Sequence, residues 1–203
     1  MLDPDVKNFV LAELPASPAR VLEVGAGDGE LAKAVASAGY EVVPVDPHSD
    51  APNVRRVALH DVDDLPASFD AAVAVVALHH VEPLAQSCRR LAELVRPGGT
   101  LVLDEFDVDL FDDTAARWWV AQRRSAGDEE RTPADVIAFL RHHCHPLSTM
   151  RAALETWFEL GPPTRGPYLY RWNLPPGVRA TEEDDIAAGR LPEIGTRLVG
   201  MRR

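Results

Sequence analysis

Three glycines, Gly25, Gly27 and Gly29, stand between an apolar run and an amphipathic segment, in the stretch VLEVGAGDGE at residues 21–30. Glycine lets the backbone turn sharply and lets a ligand approach it, because no Cβ stands in the way. Two carboxylates accompany this loop. Glu23 comes two residues before Gly25, and Asp46 closes the next apolar run, about twenty residues further on. The pattern predicts a ligand-binding loop at the point where a strand passes into a helix.

The charges around this loop discriminate between two classes of cofactor. A dinucleotide requires the pattern G-x-G-x-x-G and a helix N-terminus that accepts a pyrophosphate. The position of the third glycine in that pattern is occupied by Glu30, which would repel phosphate. S-adenosylmethionine carries a sulfonium and an ammonium but no phosphate, so it suits a site that contains Glu23. Asp46 is placed to accept hydrogen bonds from ribose hydroxyls. The residues therefore favour S-adenosylmethionine, and an NAD(P)-dependent oxidoreductase is the less favoured alternative.

Five segments in order resemble the class I S-adenosylmethionine-dependent methyltransferases, in the methyltransferase-domain branch that acts on small molecules. They read VLEVGAGDG, VDP, LHDVDDLP, FDAAVAVVALHHV and LAELVRPGGTLVLDEF, and they cover residues 20–106. The resemblance implies that the glycine loop contacts the cofactor through its backbone, that Glu23 supports the methionine end, and that Asp46 holds the ribose. It implies that Asp61 meets the adenine. The cofactor-binding residues expected from it are Glu23, Gly25, Ala26, Gly27, Gly29, Asp46, Pro47, Asp61, Val62 and Ala77.

Three further residues are candidates for acting on the substrate. His79 and His80 follow the fourth expected strand, and Glu105 stands at the end of the fifth. Methyl transfer is an in-line displacement, so positioning of the acceptor supplies much of the acceleration. A base is needed only where the acceptor must lose a proton, and histidine titrates in the useful range. A role of the histidines in shaping the pocket is the alternative.

Two other clusters have residue types that bind metals. Residues 104–113 include six carboxylates, and His142, His143, Cys144 and His145 follow one another before a proline. Carboxylates suit a hard cation or an amine substrate, but a solvated acidic loop is the simpler interpretation. Successive helical residues point about 100° apart, so the histidine cluster cannot easily converge on one ion. We therefore predict no metal site.

Apolar patterns predict the elements that position these residues. In the first half, short strand-like runs alternate with helical patterns, which indicates parallel strands joined by crossover helices on both faces of a sheet. The runs lie at 20–25, 41–45, 54–59, 71–77 and 100–103, and the helical patterns lie at 5–14, 30–38 and 83–95.

The second half is predicted to be mainly helical, with two closing strands. Helical patterns lie at 112–124, 133–145 and 150–158, and strands are expected at 168–174 and 196–201 around an acidic connection at 175–195 whose run Glu182–Asp185 would face solvent. The resemblance implies a seven-stranded sheet with the last strand antiparallel. We expect one Rossmann-like, doubly wound α/β domain over residues 1–203, with a cofactor half at about 1–106, a helical substrate-binding insertion at about 107–160 and closing strands at about 165–203.

Composition limits the partners. The chain has 203 residues and a formal net charge of -11, which would repel a polyanion in the absence of a basic patch. The two cysteines lack metal-finger spacing and fit a reducing compartment, and no apolar run is long enough to span a bilayer. We predict a cytoplasmic enzyme with a small-molecule substrate and with no nucleic-acid or membrane partner. The oligomeric state stays open, and a non-catalytic S-adenosylmethionine-binding protein is the alternative function.

Overall fold

The computed structural model describes residues 2–127 and 131–203. It has an α/β architecture with seven strands. They are β1 (Arg20–Val24), β2 (Glu41–Val45), β3 (Phe69–Val75), β4 (Val95–Phe106), β5 (Phe158–Leu160), β6 (Thr164–Gly166) and β7 (Gly195–Arg202).

Seven α-helices lie between and beside these strands in the described residues. They are α1 (Pro4–Glu13), α2 (Glu30–Ser37), α3 (Leu84–Leu94), α4 (Asp113–Ser125), α5 (Pro133–His143), α6 (Leu147–Glu155) and α7 (Val178–Ala187). None of the helices in the described part of the chain is both long enough and apolar enough to cross a membrane.

The sheet has the strand order β2-β1-β3-β4-β7-β5, and β6 pairs with β7 beside this path. β1 is parallel to both β2 and β3, and β3 is parallel to β4. Val24 pairs with Val45 on one side and with Ala74 on the other, so the carboxyl ends of β1, β2 and β3 lie next to one another. β5 and β7 are antiparallel. The expected seven-stranded, mostly parallel sheet with a late antiparallel strand is thereby confirmed.

The chain divides into two compact units. The first contains Met1–Glu105, Ser148–Pro163 and Arg197–Arg203, and the second contains Phe106–Leu147 and Thr164–Thr196. The parallel strands β1, β2 and β3, with the loops that follow them, all belong to the first unit. The expectation of one domain with a substrate-binding insertion stays a prediction.

In the first unit, α1 and α2 cover one face of the sheet. Val6 and Val10 of α1 and Leu31 of α2 pack with Val21 and Val73 in a buried apolar cluster. Full burial of such a side chain contributes roughly 1.5–3 kcal/mol. β3 is buried along most of its length, which explains its continuous apolar sequence.

In the second unit, aromatic residues and a capped helix organise the fold. Thr132 and Asp135 form a reciprocal capping box at the start of α5, with Pro133 at the first helical position. The indole of Trp119 stacks on Trp172 with ring centroids 4.5 Å apart, and its Nε1 donates to the Trp172 carbonyl at 3.0 Å. The helical patterns predicted at 112–124 and 133–145 are therefore confirmed as α4 and α5.

The strand predicted at 54–59 is wrong. Only Arg55 forms a bridge, to Val45 at the end of β2, and a short 3-10 turn at Leu59–Asp61 follows. The amide of Val54 donates to the carbonyl of Ala51. A hydrogen bond within a local turn occupies a backbone amide that a strand would need for pairing with its neighbour in the sheet.

The second half differs from prediction in three further places. The strand expected at 168–174 is wrong, because a 3-10 turn at Leu169–Arg171 replaces it and the amides of Tyr168, Leu169 and Tyr170 donate to the carboxylate of Glu182. The connection at 175–195 contains α7, and Glu182 on this helix is fully buried, so its assignment to a solvated face is wrong. The helix expected at 150–158 is shifted to 147–155, and Phe158 starts β5.

Candidate functional site

The glycine loop follows β1 directly. Gly25, Gly27 and Gly29 have φ of 71°, 53° and 74°, in the left-handed region that favours glycine. The Gly25 amide donates to the carbonyl of Val45 at 2.9 Å, which fixes the loop to the end of β2. A Cβ at Gly25 would lie 2.3 Å from the Cβ of Ala77, so the loop packs closely against the turn that follows β3.

Asp46, the first residue after β2, joins its strand end to the glycine loop. Its Oδ2 accepts from the Gly27 amide at 3.0 Å, and its Oδ1 accepts from the His48 amide at 2.8 Å. Its own amide donates to the Arg55 carbonyl at 3.0 Å. Each carboxylate oxygen has two lone pairs, so both oxygens of Asp46 can still accept hydrogen bonds from hydroxyl groups of a ligand.

A cleft of about 350 Å³ opens at the carboxyl ends of the strands, beside Asp46 and the glycine loop. Ligands of open parallel sheets bind at this end. The lining residues are Val24, Gly25, Val45, Asp46, Pro47, His48, Val57, Ala58, Leu59, Val76, Ala77, His80, Val81 and Glu82. These described residues include two carboxylates and two histidines but no lysine and no arginine.

The chemistry of this cleft fits S-adenosylmethionine better than a dinucleotide. The amide of Glu30, at the start of α2, already donates to Oδ1 of Asp28 at 3.0 Å. A pyrophosphate at this helix N-terminus would meet two carboxylates instead of a cation. A cofactor with a sulfonium and an ammonium is attracted by the same acidic groups, and the apolar Val57 and Leu59 suit the face of an adenine. Asp46 remains the predicted acceptor for the ribose.

The predicted cofactor residues occupy different positions relative to this cleft. Four of them line it, while Ala26, Gly27 and Gly29 complete the loop beside it. The four are Gly25, Asp46, Pro47 and Ala77.

Glu23 is buried on the other side of the loop, where it is only 5% exposed and packs beside Leu31 and Val35. Burial raises the pKa of Glu23 to about 8, and the charge of Asp28 acts in the same direction, whereas a hydrogen bond from the Ala32 backbone opposes both. Its Oε2 has no hydrogen-bond partner among the described residues. Glu23 therefore packs against residues of α2 and does not line the cleft.

Asp61 and Val62 do not line the cleft either. Asp61 is exposed and lies 3.5 Å from Nε2 of His60, and the carbonyl of the buried Val62 accepts from Nε of Arg90 at 2.8 Å. The residues immediately before them supply the wall instead: Val57, Ala58 and Leu59. Sequence reasoning missed these three because small apolar residues carry no distinctive chemical signal. The one available indication was their position next to the LHD turn, which begins at Leu59.

The three candidates for acting on the substrate also divide. His80 is exposed and lines the cleft, whereas His79 and Glu105 are 3% and 2% exposed and do not line it. Glu105 Oε2 lies 2.7 Å from Nδ1 of His79, and its Oε1 accepts from the amides of Ala77 and Leu78 at 3.0 and 2.6 Å. Glu105 therefore binds the turn that forms one wall of the cleft.

The acidic and histidine clusters have local structural partners. Asp104 in the first unit pairs with Arg197 at 2.8 Å. In the second unit, Asp107 pairs with Arg165 at 3.0 Å, and Asp112 caps α4. The carboxylate of Asp113 pairs with Arg117, and Nδ1 of His143 lies 2.8 Å from the Phe139 carbonyl near the end of α5. The prediction of a solvated acidic loop is therefore wrong for Asp104, Glu105 and Asp107, which are buried, and the helix-end interpretation of the histidine cluster stays a prediction.

Known proteins are similar to this chain in sequence and in fold. The family model described as a methyltransferase domain matches residues 4–159. A ubiquinone biosynthesis O-methyltransferase of Xylella fastidiosa is 31% identical over 184 residues, which are 77% of this chain and 73% of that protein. A protein of the same name from Xanthomonas campestris pv. campestris is 36% identical over 118 residues, or 50% of this chain and 49% of that protein. The chain thus spans about half the length of the latter relative.

The fold is also found in solved structures. An S-adenosylmethionine-dependent methyltransferase from Mesorhizobium loti superimposes with a TM-score of 0.60 at 17% identity, over 96% of this chain and 95% of that one. At this identity the likeness shows the fold alone. Membership of the family is shown by the family model and by the Xylella relative. The chain belongs to the class I S-adenosylmethionine-dependent methyltransferases, in the methyltransferase domain family.

Proposed function

We propose that this protein transfers the methyl group of S-adenosylmethionine to a hydroxyl oxygen of a small molecule. The observation that carries the proposal is the cleft at the ends of β1, β2 and β3, which combines a glycine loop, a fixed aspartate and a lining that, among the described residues, contains two carboxylates but no lysine or arginine. The choice of oxygen is supported by the O-methyltransferase names of the Xanthomonas and Xylella relatives.

The residues of this chain would bind the cofactor, orient the acceptor and remove the proton of its hydroxyl group. When bound, S-adenosylmethionine would supply the sulfonium methyl group for transfer to the acceptor oxygen, with S-adenosylhomocysteine as the other product. Asp46 holds the ribose, and the backbone of the glycine loop holds the methionine part close to the sheet. His80 faces the cleft, and we assign it to take the proton of the acceptor hydroxyl.

The proposed partner is a small molecule, and nucleic acid is not among the proposed substrates. The net charge of -11 disfavours a polyanion, and two of the acidic residues that contribute to it, Asp46 and Glu82, line the cleft. We also propose that the protein is located in the cytoplasm.

Turnover with methyl-labelled S-adenosylmethionine tests the proposal. The label should move to one or more members of a panel of small phenols and other hydroxylated metabolites, with stoichiometric release of S-adenosylhomocysteine. Asp46→Ala should abolish turnover. Asp50→Ala is the matched control, because Asp50 lies four residues away, is exposed, and pairs only with Arg56 at 2.9 Å among the contacts of its side chain in the described residues. Label transfer exclusively to amines, or none with any acceptor despite bound cofactor, would contradict the assignment to oxygen.

A further inference from the structure

The turn after β3 adopts a strained backbone where it meets the cleft. Val76 has φ of 51°, in the left-handed region, and for a β-branched residue such a conformation is a genuine outlier. Val76 and Ala77 both line the cleft. Strain of this kind persists only where neighbouring groups over-determine the conformation, and it concentrates at functional sites.

β4 supplies the groups that hold this turn. The amide of Val76 donates to the carbonyl of Asp104 at 2.8 Å. The side chain of the next residue, Glu105, then accepts from the amides of Ala77 and Leu78 with one oxygen. Three consecutive amides of the turn are therefore fixed by two consecutive residues of one strand.

The second carboxylate oxygen of Glu105 fixes a side chain. It lies 2.7 Å from Nδ1 of His79, and both side chains are almost completely buried. A carboxylate only accepts hydrogen bonds, so this contact places the proton of the ring on Nδ1. The ring of His79 in turn lies against that of His80, with centroids 4.0 Å apart. His80 reaches the cleft.

We propose that Glu105 is a positioning residue for the cofactor site. It acts through the backbone of the turn and through His79, and it sets the wall formed by Val76 and Ala77 as well as the orientation of His80. Ala77 lies close to Gly25, so a movement of the turn should change cofactor binding directly. If the turn moved towards the glycine loop, Ala77 would collide with Gly25. If the turn moved away from the loop, the cleft would widen. This inference rests on the proposed function, since it concerns the binding of the same cofactor.

Glu105→Gln is the variant that separates positioning from bulk packing. Its amide oxygen can still accept from the two backbone amides, but its NH₂ group can only donate, so it cannot accept from Nδ1–H of His79. We expect the dissociation constant for S-adenosylmethionine to rise at least about tenfold. We also expect the proton of the His79 ring to move from Nδ1 to Nε2, which ¹⁵N NMR of labelled histidine resolves.

Asp70→Asn is the matched control. Asp70 lies near the opposite end of β3 and accepts from the Arg20 amide at 2.8 Å and from Nε of Arg96 at 2.7 Å. Its replacement removes a hydrogen-bonded carboxylate from the same unit, so the melting temperature should fall. The dissociation constant should stay within about twofold of the wild-type value, because Asp70 does not contact the turn.

Two results would overturn the inference without touching the proposed function: a wild-type His79 ring protonated on Nε2 alone, or a Glu105→Gln protein with wild-type cofactor affinity. The NMR measurement on the wild-type protein decides the matter even if the variant does not fold. A wild-type protein that fails to bind S-adenosylmethionine would refute the proposed function, and it would refute the positioning of the cofactor with it. The tautomer of His79 would then report whether Glu105 still fixes the turn.

Discussion

The Oδ2 atom of Asp46 accepts a hydrogen bond from the amide of Gly27 at 3.0 Å. This bond links the carboxyl end of β2 to the glycine loop after β1, so the proposed acceptor for the ribose and the backbone proposed to face the methionine part are held together. The loop cannot move without disturbing Asp46. Preorganisation of this kind lowers the entropic cost of binding.

Gly25→Ala should abolish cofactor binding and destabilise the protein by several kcal/mol. The new Cβ would lie 2.3 Å from that of Ala77, and the residue has φ of 71°. Left-handed strain costs roughly 1–2 kcal/mol and overpacking typically about 1–3 kcal/mol. Gly27→Ala is the control, because a Cβ there meets nothing within 4 Å, so only the strain remains. Urea unfolding of both variants measures the difference, and equal losses would argue against the packing of the loop on Ala77.

Glu23 should make the protein less stable as the pH rises through neutrality. Burial raises its pKa to about 8 from an ordinary value of 4.5, so between these values the folded protein retains a proton that the unfolded chain releases. The contribution of this group to stability is therefore complete below pH 4.5 and is lost as the pH rises through the folded pKa.

Glu23→Gln removes this titration, so its free energy of unfolding should fall less between pH 5 and pH 9 than that of the wild type, by an amount on the order of a few kcal/mol. Urea unfolding at a series of pH values measures the two slopes. Parallel slopes would show that Glu23 is ionised in the folded protein.

Glu182 should be essential to the fold of the second unit. Its carboxylate accepts from three buried or half-buried amides, those of Tyr168, Leu169 and Tyr170. Glu182→Ala leaves these donors unpaired and should cost at least about 3 kcal/mol. Hydrogen exchange at these three amides should accelerate.

The neighbouring Glu183 provides the control for this experiment. It is exposed and pairs with Arg179 at 2.7 Å on the surface of α7. Glu183→Ala should therefore change stability by less than about 1 kcal/mol. Unchanged exchange at Tyr168 in the Glu182→Ala protein would show that Glu182 does not hold the turn.

The sequence was sufficient for the parts of the fold that depend on local pattern. The glycine loop, the parallel strands on either side of it and the position of Asp46 follow from apolar periodicity and from turn chemistry. Glu182 was mistaken for a solvated residue because it stands in the acidic run Glu182–Asp185, and its burial depends on amides 12–14 residues away. No local pattern reports a partner at that distance.

The functional residues divide in the same way. His79 and His80 are neighbours in sequence, and only the backbone of the turn decides that one faces Glu105 and the other faces the cleft. The position of Glu105 at the end of the fifth expected strand made it a candidate for acting on the substrate, whereas its burial and its three hydrogen-bond contacts make it a residue that orients others. Spacing could place these residues near the site, but it could not assign them to its surface or to its support.

The most direct test of the central claim is a calorimetric titration of the wild-type protein with S-adenosylmethionine, S-adenosylhomocysteine and NAD, repeated with Asp46→Ala and with Asp50→Ala as the matched control. We predict that both sulfur cofactors bind the wild type and the control. We predict that NAD does not bind, and that Asp46→Ala weakens the sulfur cofactors at least about tenfold. Preferential binding of NAD, no binding of either sulfur cofactor, or unaltered affinity in Asp46→Ala would contradict the assignment of this cleft.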